Sequence, residues 1–85
     1  VKQATEIYTR EFDRVFLELA PKLRSAVQAA IRDLGSRLEG YPHVRLQGRP
    51  QFRTRVGDYR IIYEFDTATN ELFLVAMGHR RDIYR

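Results

Sequence analysis

The sequence predicts an α+β fold: a single domain over residues 1–85 in the order β-α-α-β-β-β, an antiparallel sheet with a helical hairpin packed on one face. Two observations carry this. The first half has apolar residues at helical spacing, interrupted by one proline, and the second half switches to the two-residue alternation of strands. A length of 85 residues allows one hydrophobic core and no second domain.

Thr5 to Tyr8 is a short β-branched and aromatic segment that reads as a strand. Thr9 is a helix N-cap, with Glu11 and Asp13 at the positive end of the helix dipole. Phe12, Val15, Phe16 and Leu19 follow at i, i+3, i+4 and i+7. Pro21 ends that helix and opens a second at its first turn. Leu23, Val27, Ala30, Ile31, Leu34 and Leu38 form its apolar stripe, and Gly40 with Pro42 marks its end.

Three strand-like runs follow, over residues 51–56, 59–65 and 72–78. Gly57-Asp58 is a two-residue hairpin loop, and residues 66–71 make a second turn. With Val56 opposite Tyr59, Arg55 faces Arg60 and Arg53 faces Ile62. One face then carries Phe52, Thr54, Val56, Tyr59, Ile61, Tyr63 and Phe65, and should be core. The other carries Gln51, Arg53, Arg55, Arg60, Ile62 and Glu64. On the last strand, a register with Tyr59 opposite Gly78 brings Met77 to the open face beside Arg60. His79 then lies near the turn, and Arg80 leaves the strand end toward the same patch. A helical turn over 80–84 puts Arg80 and Tyr84 on one side.

The charge pattern points to an anionic partner. The net charge is +4, with 13 arginines but only two lysines, and residues 43–60 hold Arg45, Arg49, Arg53, Arg55 and Arg60 against Asp58 alone. The planar guanidinium suits bidentate phosphate contacts. Arg55 and Arg60 directly opposite each other cost stability, which a phosphate-binding face would offset. Other chemistries lack their residues. The chain has no cysteine, and His43 and His79 fall in no metal-ligand pattern, so no metal or cofactor is expected. The five glycines are isolated at turns, so there is no phosphate loop. No apolar run approaches a membrane span, and a cytoplasmic location is expected.

The segment from Arg53 through Gly57-Asp-Tyr-Arg60 to Tyr63, followed by Met77-Gly-His-Arg-Arg-Asp-Ile-Tyr-Arg85, resembles the signature of RelE-type toxins of the RelE/ParE superfamily. The likeness runs from about Thr5 to Arg85. It implies a toxin of a type II toxin–antitoxin pair, acting as an endoribonuclease that cuts mRNA in the ribosomal A site without a metal. The 2′-hydroxyl would attack the adjacent phosphate. By the same resemblance Arg53, Arg60, Arg80 and Tyr84 are the catalytic candidates, Tyr84 after a short gap in the alignment. Arg45, Arg49, Arg55 and His79 are candidates for substrate binding. The implied partners are a cognate antitoxin with an acidic segment, the 70S ribosome and mRNA, with DNA contacted only indirectly through the antitoxin. Gln51 departs from the family pattern, standing where a lysine is found in the best-known member, so proton transfer falls to Tyr84, His79, ribosomal RNA or water. ParE-type inhibitors of DNA gyrase share this fold and give the alternative activity.

Overall fold

Strand β1 (Thr5–Tyr8) ends where Thr9 adopts an extended backbone and caps the first helix. Its hydroxyl oxygen accepts from Phe12 N–H at 3.1 Å and donates to the Val75 carbonyl at 2.6 Å. One side chain thus starts helix α1 (Arg10–Phe16) and ties it to the last strand. The computed structural model describes residues 2–82. Helix α1 is shorter than the apolar spacing predicts. Pro21 has no N–H to continue it and holds Ala20 extended (ψ 146°), so the chain closes with tight turns from Leu17 to Leu19. Leu19 still reaches the core.

Helix α2 (Pro21–Ser36) carries proline in its first turn and buries Val27, Ile31 and Leu34. It stops four residues before Gly40. The Gly35 carbonyl, which would accept from residue 39 in a continuing helix, accepts instead from Ala4 N–H at 3.0 Å. A Cβ at Gly35 would come within 2.7 Å of Gln3 Nε2, the end of a flexible side chain that would have to move aside. No described helix is long and apolar enough to cross a membrane.

The sheet has five strands in the order β1-β5-β4-β3-β2, adding β2 (Val44–Arg45), β3 (Phe52–Val56), β4 (Tyr59–Asp66) and β5 (Glu71–His79). The α+β class and the helical cover stand, with two corrections. The sheet is mixed rather than wholly antiparallel, because β1 lies parallel to β5, anchored by Thr5 N–H to the Asn70 carbonyl and Thr9 N–H to the Leu74 carbonyl. A further strand, β2, pairs with β3 through only two residues, too few to show an alternation.

The β3–β4 hairpin has the expected register: Val56 opposite Tyr59, Arg55 opposite Arg60 and Arg53 opposite Ile62. Gly57 has φ of 60° and Asp58 does not have a positive φ, the arrangement of a type II′ turn. Between β4 and β5 the expected register holds only next to the turn, from Asp66–Glu71 to Tyr63–Leu74. A bulge at Val75 then shifts it by one, so Tyr59 faces His79 and Arg60 faces Gly78. Met77 therefore pairs with Ile61 and turns into the core, 3% exposed, not onto the open face. The Val75 carbonyl is the one held by the Thr9 hydroxyl.

The core lies between helices and sheet, with Phe12, Val27, Ile31, Leu34, Ile61, Tyr63, Leu72 and Leu74 all but inaccessible. At one end His43 joins the turn after α2 to the sheet. Its Nε2 bonds the Leu38 carbonyl and its Nδ1 the Tyr63 hydroxyl, both at 2.6 Å. A carbonyl only accepts, so Nε2 carries a proton, and in the neutral ring Nδ1 accepts from Tyr63. The ring stacks on Phe65 at 4.1 Å. Burial pushes the pKa of the Tyr63 phenol up, and the neighbouring Tyr41 adds to the shift.

Candidate functional site

Alternation along β3 and β4 sends Arg53, Arg55 and Arg60 to the face that the helices leave open. Arg55 and Arg60 are directly opposite, which puts their Cβ atoms ~4.5–5.5 Å apart. Arg80 follows the end of β5, where its N–H bonds the Asp58 carbonyl at 2.8 Å. Its position, two residues past Gly78, brings it to the same face and the same end of the hairpin as Arg60. Gly78, opposite Arg60, carries no side chain.

Counter-charge is scarce there. Among the described residues the patch has one ion pair, Arg80 Nε to Asp58 at 4.0 Å, with both side chains more than half exposed. Such a contact contributes little. Glu64 shares the face but accepts from Gln51 Nε2 at 3.3 Å and pairs with none of the arginines. Arg60 Nη1 is, among the described residues, the one buried side-chain nitrogen or oxygen with no hydrogen-bond partner. A guanidinium N–H enclosed without an acceptor is costly, and a turn of the side chain toward the surface would let an anionic oxygen satisfy it. The patch can therefore hold an anion with several charge-assisted hydrogen bonds and fix its orientation.

The structure separates the other candidates from this patch. Arg45 lies on the opposite face, its guanidinium 4.8 Å from the centre of the Phe52 ring. Arg49 stands exposed in the turn before β3, its N–H on the Leu46 carbonyl. His79 faces the helices because of the Val75 bulge. Its ring meets Tyr59 edge-on at 5.6 Å, and its Nδ1 accepts from Arg81 N–H at 3.2 Å. Tyr84 lies outside the described residues. No group of three or more His, Asp or Glu side chains converges as a metal site among the described residues.

Sequence reasoning missed a cleft of about 400 Å³ beside His79, lined by Glu11, Arg14, Tyr59, Met77 and Asp82. Its residues come from α1, β4, β5 and the turn after it, and no local motif joins those segments.

The chain is similar to known toxins and toxin–antitoxin complexes. The model for "ParE toxin of type II toxin-antitoxin system, parDE" matches residues 2–84. No curated protein sequence matches the chain. Among solved structures, the toxin–antitoxin complex RelBE2 from Mycobacterium tuberculosis matches at 26% identity and a TM-score of 0.73, covering 94% of each chain. The archaeal RelE–RelB complex from Pyrococcus horikoshii matches at 16% identity and a TM-score of 0.77, covering 95% of this chain and 99% of that one. A mutant of the E. coli toxin RelE in the free state matches at 12% identity and a TM-score of 0.79, covering 98% and 90%. The last two show likeness of fold alone.

Proposed function

We propose that this chain, which belongs to the family of ParE toxins of type II toxin–antitoxin systems within the RelE/ParE superfamily, acts by cleaving mRNA on the ribosome. The observation that carries this reading is the set of Arg53, Arg55, Arg60 and Arg80 at one end of an open sheet face, with a buried Arg60 nitrogen that has no acceptor among the described residues.

A phosphodiester is the anion that fits. In the proposed reaction the ribose 2′-oxygen forms a bond to the adjacent phosphorus and loses its proton. The bond from phosphorus to the 5′-oxygen breaks, and that oxygen takes up a proton. The products are a 2′,3′-cyclic phosphate and a 5′-hydroxyl. Negative charge builds on the non-bridging oxygens as the phosphorus becomes five-coordinate. Arg60 and Arg53 neutralise that charge, and Arg80 orients the chain at the strand end. One such preplaced donor is worth roughly a hundredfold to a thousandfold in rate. Guanidinium groups stay protonated at neutral pH, so they supply charge and direction while the proton passes to another group.

Two of the similar solved structures are toxin–antitoxin complexes, which supports a cognate antitoxin as the partner here. The arginine end of the open face would attract an acidic antitoxin segment. The test is primer extension on a defined mRNA, with and without translating ribosomes, comparing the wild-type chain with Arg60→Ala. Ribosome-dependent cuts that vanish in a folded Arg60→Ala protein support the reading. Normal cleavage by that variant would remove Arg60 from the site. The matching family model is described by ParE, and that favours inhibition of DNA gyrase as the second reading. Absence of cleavage together with trapped gyrase–DNA complexes would establish it instead.

A further inference from the structure

The cleft beside His79 adjoins the arginine patch around the end of β5. His79 and Arg80 are consecutive, His79 paired with Tyr59 at the end of β5 and Arg80 in the turn beyond it, its N–H on the Asp58 carbonyl. Gly78 pairs with Arg60 and also borders the cleft. A nucleic-acid strand whose phosphate sits on Arg60 and Arg80 can turn this strand end and direct its next base into the cleft.

The cleft has the chemistry of a base-binding pocket. The partly exposed Tyr59 ring lines it beside His79, and the buried Met77 adds an apolar side chain at its base. Glu11 and Arg14 on α1 and Asp82 after β5 stand at its rim, all three exposed. None of the three forms an ion pair among the described residues. His79 Nδ1 is occupied by Arg81 N–H, so in the neutral ring Nε2 carries the proton as a donor. The pocket thus presents two carboxylates as acceptors, with a guanidinium and an imidazole as donors. Two carboxylates favour a base with an exocyclic amino group, whose two N–H groups can reach both, over one that carries a carbonyl oxygen or a hydrogen at that position.

We propose that this cleft is the subsite for the nucleobase next to the scissile phosphate, and that it selects a base with an exocyclic amino group. Glu11 and Asp82 accept from the amino group, and Tyr59 stacks on the ring. This rests on the endoribonuclease reading. The alternative occupant, an antitoxin side chain, is an outcome of the test.

The experiment measures cleavage rates on ribosome-bound mRNAs that differ in the nucleotide on either side of the cut. Guanosine is compared with inosine, which lacks the amino group, and cytidine with uridine. The wild-type chain should favour the amino-bearing member at one of these positions by roughly fivefold or more. Glu11→Gln with Asp82→Asn should bring that ratio toward one. Lys22→Gln, an exposed change at the start of α2, is the control and should keep it. A second measurement uses the free protein and a short RNA 2′-O-methylated to prevent cleavage. NMR shifts at Tyr59 and His79 that depend on the amino group support the subsite. Cleavage with an unchanged ratio in the double variant and no shifts in the cleft overturns the subsite and leaves the endoribonuclease reading standing. Unchanged ratios with loss of antitoxin binding in that variant assign the cleft to the antitoxin. No cleavage by the wild-type chain on any mRNA overturns both.

Discussion

The two faces of the β3–β4 hairpin are made by the same strands in alternation, yet they are finished differently. On the covered face Ile61 and Tyr63 are fully buried, His43 has both ring nitrogens bonded, and Tyr41 and Thr54 share a hydrogen bond of 2.9 Å. On the open face Arg55 stands opposite Arg60, and Arg60 has a buried nitrogen without an acceptor among the described residues. Polar groups closed among themselves indicate a surface whose partner is the rest of the chain. Polar groups left open indicate a surface whose partner comes from outside.

Adjacent positions on β4 give the strongest way to break that contrast. Ile61→Ala deletes buried methyl groups and should destabilise the fold by about 2–5 kcal/mol. Stability of a domain this size is on the order of 5–15 kcal/mol, so the midpoint of urea unfolding should fall far. The neighbouring Arg60→Ala should leave that midpoint nearly unchanged while cleavage of ribosome-bound mRNA drops about a hundredfold to a thousandfold. A large loss of stability in Arg60→Ala would make the open face a structural surface after all.

Next in size is Tyr63→Phe, which keeps the ring and removes the hydroxyl that meets His43 Nδ1. An unsatisfied half-buried nitrogen should cost about 1–3 kcal/mol, visible as a lower melting temperature. Cleavage by the folded fraction should match the wild-type chain, because the group faces away from the arginines. A specific loss of activity without loss of stability would show that the two faces communicate.

These contrasts were legible in the sequence to the extent that local rules set them. Thr9, Pro21 and the Gly57-Asp58 loop each act within a few residues, so the β1–α1 junction, the start of α2 and the pairing of Arg55 with Arg60 could all be read directly. The parts that could not be read depend on contacts between distant segments. The early end of α2 requires Ala4 to reach Gly35, and the bulge at Val75 is fastened by Thr9, 66 residues away. That bulge moved Met77 into the core and His79 to the helix side, which took His79 out of the arginine patch. The face of Arg45 was not legible for a related reason, since a two-residue strand gives no alternation from which to read it.

The smallest effect sharpens the comparison most, because stability and activity should move in opposite directions. Two like charges directly opposite on a sheet cost about 0.2–1 kcal/mol relative to neutral neighbours. Arg55→Glu replaces that repulsion with attraction to Arg60, and should raise the melting temperature by roughly 1–8 °C. The new carboxylate would also occupy Arg60 and repel a phosphate, so cleavage should fall. Arg55→Thr separates the two contributions: it removes the repulsion without supplying a rival anion, and should stabilise the fold while leaving Arg60 free for substrate. If both variants lowered the melting temperature, the arginine pair would be holding the hairpin together, and its retention would need no anion to explain it. If both raised it and both lost activity, Arg55→Glu the more, the cost of keeping two arginines face to face would be set by the phosphate they receive.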